Sequence, residues 1–359
     1  MATRNEDVRV LVTGASGYIG GHCVVDLLRR GYRVRGTVRN LGKRAAVERL
    51  ATLVPGSLER LEIVEADLSS DRGWAEAVRD CTYVLHVASP FPPNVPNDEM
   101  EVIGPAVDGT KRVLAAAAAT RGGVKRVVLT SSVAAVAYGR REHTDKVFTE
   151  DDWSIVEQCD PYQKSKTLAE RFAWDYVRSL PTDQRFELVV INPGFVLGPL
   201  LDADVQTSSE LVKRLLRREL PGCPQLGFAV VDVRDVALMH RLAMETPDAA
   251  GMRFICAGEH YWVQDIARTL AAEFAPYGYR VPTRALPYWL LWVVGRFDAT
   301  VRMTLGYIGR RELVSHERAH NLLGWSPRPL RDTLADMGHS LIEHGVVPKH
   351  PRYSPPPAR

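Results

Sequence analysis

The stretch from Val10 to His22, "VLVTGASGYIGGH", decides how this chain folds. An apolar, β-branched run leads into Gly14, Gly17 and Gly20, and a helical pattern begins right after the second of these glycines. Glycine at these positions permits a tight turn, close packing of helix on strand and close approach of a pyrophosphate to the backbone. Free N–H groups at the helix start attract the same anion. The stretch therefore predicts a dinucleotide-binding unit, and a plain strand–helix connection is the alternative.

Short apolar runs alternate with helical stretches through the first half of the chain. Strands are predicted for residues 8–14, 32–38, 61–66, 82–88, 125–132 and 186–192, and helices for 17–30, 42–52, 72–79, 98–120 and 161–180. This alternation implies right-handed crossovers and a parallel sheet with helices on both faces. The nearly continuous apolar strands fit a sheet that is buried on both sides. The predicted fold class is therefore α/β, a doubly wound parallel (Rossmann) sheet.

Proline and glycine become frequent after residue 195, and the regular alternation weakens. We therefore expect a Rossmann dinucleotide-binding domain over residues 1–195 and a smaller, mostly helical substrate-binding lobe over 196–359. Residues of about 227–257 again have strand and helix patterns, so we expect them to return to the Rossmann domain.

The bulk composition excludes several classes of partner. The chain has 359 residues, 46 Lys and Arg against 43 Asp and Glu, and a net charge of +3 with no run of like charges, which argues against nucleic acid. Five scattered cysteines without a C-x-x-C pair argue against a disulfide framework. The first apolar run is too short for a signal peptide, and residues 286–295 are about half the length of a spanning helix. We expect a cytoplasmic protein, monomeric or homodimeric, with no membrane partner.

The end of the second predicted strand indicates which dinucleotide binds. An NAD site places an acidic residue there to hold the ribose 2′-hydroxyl, but this chain has Val38 followed by Arg39, with Lys43 close behind. A guanidinium can hold a 2′-phosphate with two hydrogen bonds. The sequence therefore predicts NADP(H), and the alternative is that Arg39 is a solvated residue. Asp67 and Leu68 follow the third strand and are expected at the adenine, although Asp67 can equally cap a helix.

The cofactor set predicted from position has two further parts. The glycine turn and the helix start contribute six residues: Gly14, Ser16, Gly17, Tyr18, Ile19 and Gly20. Val87, Ala88 and Ser89 end the fourth strand, where small side chains can lie beside the cofactor.

A tyrosine and a lysine lie one turn apart in "DPYQKSKTLAE", residues 160–170. Asp160 is a good N-cap and the following proline suits the first helical position, so Tyr162 falls in the first turn and Lys166 on the same face. Ser131 and Ser132 end the fifth predicted strand, at the sheet edge where ligands bind. A neighbouring ammonium favours phenolate, and a serine hydroxyl steadies a developing alkoxide. Taken alone, the tyrosine–lysine spacing can also be structural.

Six stretches occur in family order over roughly residues 8–240: "VTGASGYIG", "GTVRN", "LTSS", "PYQKSKTLAE", "INPGFVLGP" and "DVRDVALMH". In these the chain resembles the extended short-chain dehydrogenases/reductases of the NAD-dependent epimerase/dehydratase superfamily, and within them the dihydroflavonol 4-reductase-like aldehyde and ketone reductases. The resemblance implies an NADPH-dependent carbonyl reductase with Tyr162 as general acid. Lys166 would lower the pKa of Tyr162 and bind the nicotinamide ribose.

The resemblance also assigns the remaining site residues. Ser132 aligns best as the serine that binds the carbonyl, with Ser131 as the other claimant. Pro193 and Gly194 would line the nicotinamide.

Departures from related groups narrow the expected reaction. Gln163 replaces the glycine that sugar-nucleotide epimerases and dehydratases carry after the tyrosine, and "NPGFVLGP" replaces their N-V-Y-G-P. The cysteine- and tyrosine-rich signature of plant cinnamoyl-CoA reductases is absent, which argues against a CoA thioester. Such an epimerase or dehydratase, a hydroxysteroid dehydrogenase/isomerase and a non-enzymatic NADP-sensing regulator remain as alternatives. A hydrophobic or aromatic substrate is expected from large side chains of the lobe: Phe195, Phe228, Tyr288, Trp289 and Trp292. The alternative for each of them is a place in the core of the lobe or in a subunit contact.

Residues 316–320, "HERAH", match the zinc-protease pattern H-E-x-x-H. Gly324 is placed to end this helix, and Leu323 and Trp325 fit a face packed on the core. We therefore interpret the segment as a docked helix and predict no metal.

Overall fold

The computed structural model describes residues 5–89, 98–140, 145–204, 207–297 and 299–355. The strands are β1 (Arg9–Val12), β2 (Arg33–Val38), β3 (Leu61–Glu65), β4 (Tyr83–His86), β5 (Arg126–Thr130), β6 (Glu187–Pro193), β7 (Phe195–Leu197), β8 (Gly227–Asp232), β9 (Arg253–Cys256) and β10 (His260–Trp262). Seven of the described strands form one sheet in the order β3-β2-β1-β4-β5-β6-β9. Every pairing in this sheet is parallel. The predicted doubly wound parallel sheet is confirmed.

Helices cover both faces of this sheet and build the smaller lobe. They are α1 (Tyr18–Arg29), α2 (Arg44–Thr52), α3 (Trp74–Val78), α4 (Met100–Ala119), α5 (Pro161–Ser179), α6 (Thr207–Leu216), α7 (Val233–Glu245), α8 (Val263–Phe274), α9 (Tyr288–Val294), α10 (Ala299–Thr304), α11 (Glu317–Leu323) and α12 (Leu330–Glu343).

Successive residues of the central strands serve two separate cores, which explains their continuous apolar pattern. On β1, Val10 and Val12 pack with α1, α2 and α7, whereas Leu11 packs with α3, α4 and α5 on the other face. Because side chains alternate along a strand, a sheet covered on both faces needs apolar residues at every position. The carboxyl ends of the parallel strands are left at one open edge.

The smaller lobe has its own core and its own sheet. β8 pairs in parallel with β7 and antiparallel with β10. Side chains of α6, α8 and α12 pack against this sheet in a third apolar cluster. The chain returns to the large sheet at α7 and β9, whereas β8 belongs to the small sheet. The domain limits at residues 195 and 196 stay a prediction.

None of the helices in the described ranges has the length and apolar character that crossing a bilayer requires.

Candidate active site

The glycine turn joins β1 to α1 in a conformation that only glycine fits. Gly14 has a φ of +68°, and its carbonyl accepts a hydrogen bond of 2.9 Å from the N–H of Gly17. A Cβ on Gly20 would lie 2.2 Å from that carbonyl oxygen. The helix therefore seats directly on the turn, and its free N–H groups face the open edge of the sheet. This is the geometry that a pyrophosphate needs.

Three side chains predicted at the cofactor contact other parts of the protein. The Tyr18 hydroxyl donates a hydrogen bond of 2.7 Å to the carbonyl of Gly198, and Ile19 packs against the core below. The Lys43 ammonium lies 3.7 Å from the carboxylate of Asp204. Tyr18 and Ile19 thus contribute backbone N–H groups to the helix start, while their side chains hold that start in place.

The ends of β2 and β3 place a positive and a negative group near each other. Arg39 directly follows β2 and is exposed. The Asp67 carboxylate accepts hydrogen bonds of 2.8 Å from the N–H and the hydroxyl of Ser69, and these bonds lower the pKa of Asp67, with a smaller contribution from Arg39. Asp67 thus caps a turn rather than a helix, since Gly73 is the residue that precedes α3. Leu68 packs against Gly109 of α4.

A buried threonine, which the sequence analysis did not include, organises the end of β4. The Thr13 hydroxyl lies 2.9 Å from Nδ1 of His86 and accepts a hydrogen bond of 2.9 Å from the N–H of Ala88. Burial lowers the pKa of His86 to about 3, so the imidazole is neutral. The segment after β4 is therefore fixed against the glycine turn, and Ser89 accepts a hydrogen bond of 3.0 Å from the Lys166 ammonium.

The serine, the tyrosine and the lysine converge at the carboxyl end of β5. Asp160 caps α5 in a capping box with Gln163, which places Tyr162 in the first turn. The Ser132 hydroxyl is hydrogen-bonded to Tyr162 and also accepts 3.1 Å from the N–H of Ala134. The Ser131 hydroxyl instead donates 2.5 Å to the buried Glu170. Of the two serines, Ser132 is therefore the one beside the phenol.

The titration of the pair differs from the expectation. Burial raises the pKa of Tyr162, the charge of Asp160 adds to this rise, and the hydrogen bond from Ser132 opposes it. The Lys166 ammonium lies 6.0 Å from the centre of the phenol ring, and burial lowers the pKa of Lys166 to about 8. In the protein by itself, the phenol is thus less acidic than usual, and the expected lowering by Lys166 is not met. A raised pKa keeps the hydrogen on the phenol at neutral pH.

A buried carboxylate beneath the site was missed by the sequence analysis. Glu170 accepts hydrogen bonds from Ser131 and from the Asn192 amide at 2.8 Å, and it pairs with Arg253 at 2.8 Å. Its charge partly offsets the effect of burial on the pKa of Lys166. The available signal was its spacing, because Glu170 lies one turn after Lys166 on the same helix.

The turn after β6 contains the two residues predicted to line the nicotinamide. Pro193 ends β6, and the N–H of Gly194 donates 3.1 Å to the carbonyl of Cys256. A Cβ on Gly194 would lie 2.1 Å from the carbonyl oxygen of Ala229. Glycine is therefore required for packing between the two sheets, and contact with a nicotinamide stays a prediction.

The aromatic side chains of the lobe fall into two groups. Phe195 and Phe228 stack with ring centres 4.4 Å apart. Tyr288, Trp289 and Trp292 lie on the outer surface of α9, with exposed fractions of 54%, 66% and 48%. The two groups do not form one common wall.

The "HERAH" segment is a short helix end rather than a ligand set. His316 precedes α11 and its ring lies edge-on to Trp325, whereas Nδ1 of His320 lies 3.2 Å from the Ser326 hydroxyl. Gly324 ends the helix with a φ of +64°, as predicted. Within the described ranges, no group of three or more His, Cys, Asp or Glu side chains could hold a metal ion.

A doubly wound parallel sheet, a glycine turn after its first strand and a serine–tyrosine–lysine set at its carboxyl edge define the scaffold of the extended short-chain dehydrogenases/reductases. Residues 10–258 match the model of the NAD dependent epimerase/dehydratase family, and the chain belongs to that family. The resemblance found in the sequence motifs is thereby confirmed.

Relatives and solved structures agree with this assignment. Cinnamoyl-CoA reductase CAD2 of Medicago truncatula is 39% identical over 256 residues, which are 70% of this chain and 76% of the relative. The crystal structure of yeast methylglyoxal/isovaleraldehyde reductase Gre2 complexed with NADPH is similar with a TM-score of 0.78 and 28% identity, covering 94% of this chain and 99% of that one. Vestitone reductase from alfalfa (Medicago sativa) is similar with a TM-score of 0.72 and 25% identity, covering 94% and 99%.

Proposed function

We propose that this chain is an NADPH-dependent carbonyl reductase, which reduces a hydrophobic or aromatic ketone or aldehyde to the alcohol with Tyr162 as proton donor. The observation that carries the proposal is the hydrogen bond between Ser132 and Tyr162 at the carboxyl end of β5, next to Lys166. The named activities of the relatives support it, since Gre2 and vestitone reductase are reductases and the Gre2 structure contains NADPH. The chain is an oxidoreductase of the extended short-chain family.

The residues present fit NADPH. The glycine turn fits a pyrophosphate, because α1 can start directly against the turn only without a Cβ at Gly20, and the N–H groups of that helix start are donors for an anion. Arg39 would hold the 2′-phosphate and Lys166 the nicotinamide ribose, while Asp67 and Leu68 would lie at the adenine. Bound NADPH supplies the hydride for the carbonyl carbon.

The protein groups supply orientation and a proton. The Ser132 hydroxyl donates a hydrogen bond to the substrate carbonyl and stabilises the negative charge that grows on its oxygen. Tyr162 then gives its phenolic hydrogen to that oxygen, which requires the phenol to be protonated beforehand, as the raised pKa ensures. The balanced reaction converts carbonyl, NADPH and one proton into alcohol and NADP⁺. Lys166 faces the ring and holds positive charge near the phenolate that is left.

Turnover of a carbonyl panel tests the proposal. Methylglyoxal, isovaleraldehyde, cinnamaldehyde and cinnamoyl-CoA are offered with NADPH and with NADH, and loss of reduced cofactor is followed by absorbance. Tyr162→Phe is expected to lower kcat by about 10²- to 10⁴-fold, the usual contribution of a general acid, and to leave NADPH affinity intact. Tyr176→Phe, on the same helix, is the matched control.

Three outcomes separate the alternatives. An epimerase, a dehydratase or a steroid isomerase converts its substrate without net consumption of NADPH. A non-enzymatic sensor binds NADPH and turns over nothing in the panel. Full activity of Tyr162→Phe would remove the assigned proton donor.

A further inference from the structure

A cavity of about 270 Å³ lies beside the first turn of α5. Four aromatic side chains contribute to its walls: Tyr138, Phe148, Phe228 and Tyr307. Gln163, the residue after the proposed proton donor, also lines the cavity, and its amide donates a hydrogen bond of 3.0 Å to the Tyr307 hydroxyl. The cavity is large enough for a ring-sized molecule and adjoins the turn that contains Tyr162.

Three guanidinium groups line this cavity: those of Arg140, Arg310 and Arg311. Arg140 lies over the ring of Phe148, 4.6 Å from its centre, and its buried Nη1 has no hydrogen-bond partner among the described residues. Arg310 donates 2.7 Å to the carbonyl of Arg140, which ties the two segments together. Arg311 is exposed at the rim. Positive charge and aromatic rings thus line the same cavity.

The carboxyl of Glu312 is the only acidic group among the described residues that line the cavity. It accepts a hydrogen bond from the Tyr138 hydroxyl, and the N–H of Glu312 donates 3.1 Å to Nδ1 of His260. Burial raises the pKa of Glu312 to about 7, so the carboxyl is only partly ionised at neutral pH. Among the described residues that line the cavity, the three guanidinium charges exceed this charge, so the lining set is net positive.

We propose that this cavity selects carbonyl substrates that carry an anionic group, a carboxylate or a phosphate ester, on an aromatic or alkyl body. Arg140 and Arg311 hold the anion, because the planar guanidinium donates paired hydrogen bonds to such oxygens, and Arg310 adds positive charge beside them. The aromatic walls cover the body of the substrate, and its carbonyl reaches Ser132 and Tyr162. This inference rests on the proposed reductase function and narrows its substrate class.

Matched aldehydes test the inference. The wild-type enzyme is assayed with NADPH and methyl 4-formylbenzoate, which is neutral, then with 4-carboxybenzaldehyde and with 4-formylphenyl phosphate. Charge-assisted hydrogen bonds are worth about tenfold or more in affinity, so kcat/KM for at least one anion is expected to exceed that for the ester by about tenfold. The comparison of the two anions tells carboxylate from phosphate.

Variants assign the selectivity to this cavity. Arg140→Gln and Arg311→Gln are each expected to lower the anion-to-ester ratio of kcat/KM by about tenfold. Glu312→Gln removes the opposing charge and is expected to raise the ratio. Arg296→Gln, an exposed arginine beside α9, is the control and should leave the ratio unchanged. Because Arg311 is exposed, its variant tests the idea even if the half-buried Arg140 variant fails to fold.

The failure of the inference differs from the failure of the reductase function. Reduction of the ester with kcat/KM equal to that of the anions would show that the anion site is wrong, while the reductase function would stand. The same conclusion would follow if neither arginine variant changed the anion-to-ester ratio of kcat/KM. If no aldehyde consumes NADPH, the reductase function is wrong. Titration calorimetry of 4-(hydroxymethyl)benzoate against the enzyme with NADP⁺ gives a readout without turnover, and equal binding by wild type and Arg311→Gln would also overturn the anion site.

Discussion

At the level of single residues, burial shifts Tyr162 and Lys166 in opposite directions. Removal from water disfavours the charged form of each, so the pKa of the phenol is raised and the pKa of the ammonium is lowered to about 8. The charge on Lys166 is therefore the member of the pair that changes within an accessible pH range. The phenol stays a proton donor throughout that range.

The efficiency of NADPH use is expected to fall as the pH rises above about 8. Below this value Lys166 carries its charge, and above it the ammonium that would hold the ribose loses its proton. The measurement is kcat/KM for NADPH across pH, since this quantity reports groups of the enzyme before the cofactor binds. Lys166→Arg should move the decline to higher pH, whereas Lys164→Arg, on the same helix, should not. A profile that stays flat well above pH 8 in the wild type would contradict the assignment.

Replacing Arg39 is expected to change cofactor preference. Arg39→Ser should raise the KM for NADPH by about 10- to 100-fold, because a charge-assisted hydrogen bond to the phosphate is lost, and should leave NADH use nearly unchanged. Arg44→Ser, whose guanidinium pairs with Glu48 at 2.8 Å on the exposed face of α2, is the control. Steady-state kinetics with both cofactors decide the matter, and an equal loss with NADH would argue against a 2′-phosphate contact.

At the level of elements, the contact of α1 with the glycine turn explains why the motif is so compact. The helix can start at Tyr18 only because Gly20 has no side chain to meet the carbonyl of Gly14. The Tyr18 hydroxyl then fixes the helix start to Gly198, beyond β7. The turn is thus held from below by the strand and from the side by the lobe.

Two glycine-to-alanine changes in helices should have opposite effects. Gly20→Ala would place a Cβ 2.2 Å from a carbonyl oxygen, and the forced shift is expected to destabilise the fold by about 1–3 kcal/mol and to abolish tight NADPH binding. Gly306→Ala, in the short helical turn Leu305–Tyr307, meets no atom within 4 Å and should stabilise by up to about 1 kcal/mol. Urea unfolding and NADPH titration measure both, and normal NADPH binding by Gly20→Ala would refute the close contact.

Tyr307 joins the smaller lobe to the helix that carries the proposed proton donor. Its hydroxyl donates a hydrogen bond of 3.1 Å to the Asp160 carboxylate and accepts one of 3.0 Å from the Gln163 amide. Asp160 and Gln163 are also the two members of the capping box of α5. The first turn of α5 is therefore fixed by a residue about 145 positions further along the chain, as the separations of 147 and 144 residues show.

At the level of the whole molecule, buried ion pairs connect the C-terminal segment to the large domain. The Arg328 guanidinium donates hydrogen bonds of 2.6 and 2.9 Å to the carboxylate of Asp235 in α7. The backbone N–H of Arg328 donates a third hydrogen bond of 2.8 Å to the same carboxylate. Asp235 is only 3% exposed. Its charge is compensated by groups that come from the segment before α12.

Loss of this arginine is expected to cost far more stability than loss of an exposed neighbour. Arg328→Ala leaves a buried carboxylate without its guanidinium and should lower the free energy of unfolding by about 3–5 kcal/mol. Arg331→Ala, whose side chain is 75% exposed and 3.6 Å from Glu273, should cost less than about 1 kcal/mol. Urea denaturation of both variants gives the difference, and equal stabilities would show that the buried pair does not hold the segment.

Features of the fold and site that depend on residues close in sequence could be predicted, whereas those that depend on residues far apart in sequence could not. The first six strands of the large sheet and the cap at Asp160 depend on local patterns, so the sequence predicted them. The sequence did not predict the small sheet, because β7 and β10 have three residues each and are held by pairing with β8. The choice between Ser131 and Ser132 needed the position of Glu170, and the charged cavity needed Glu312 beside Tyr138, a separation of 174 residues.

The place of β9 at the edge of the large sheet has a consequence for synthesis on the ribosome. β6 lies in the interior of the sheet only because β9 pairs with it, and that strand is translated some 60 residues later, as their bounds of 187–193 and 253–256 show. A nascent chain that ends before β9 leaves a long, apolar strand edge open to other chains. Emergence of residues 253–256 is thus the step at which the growing polypeptide becomes safe from aggregation at this edge.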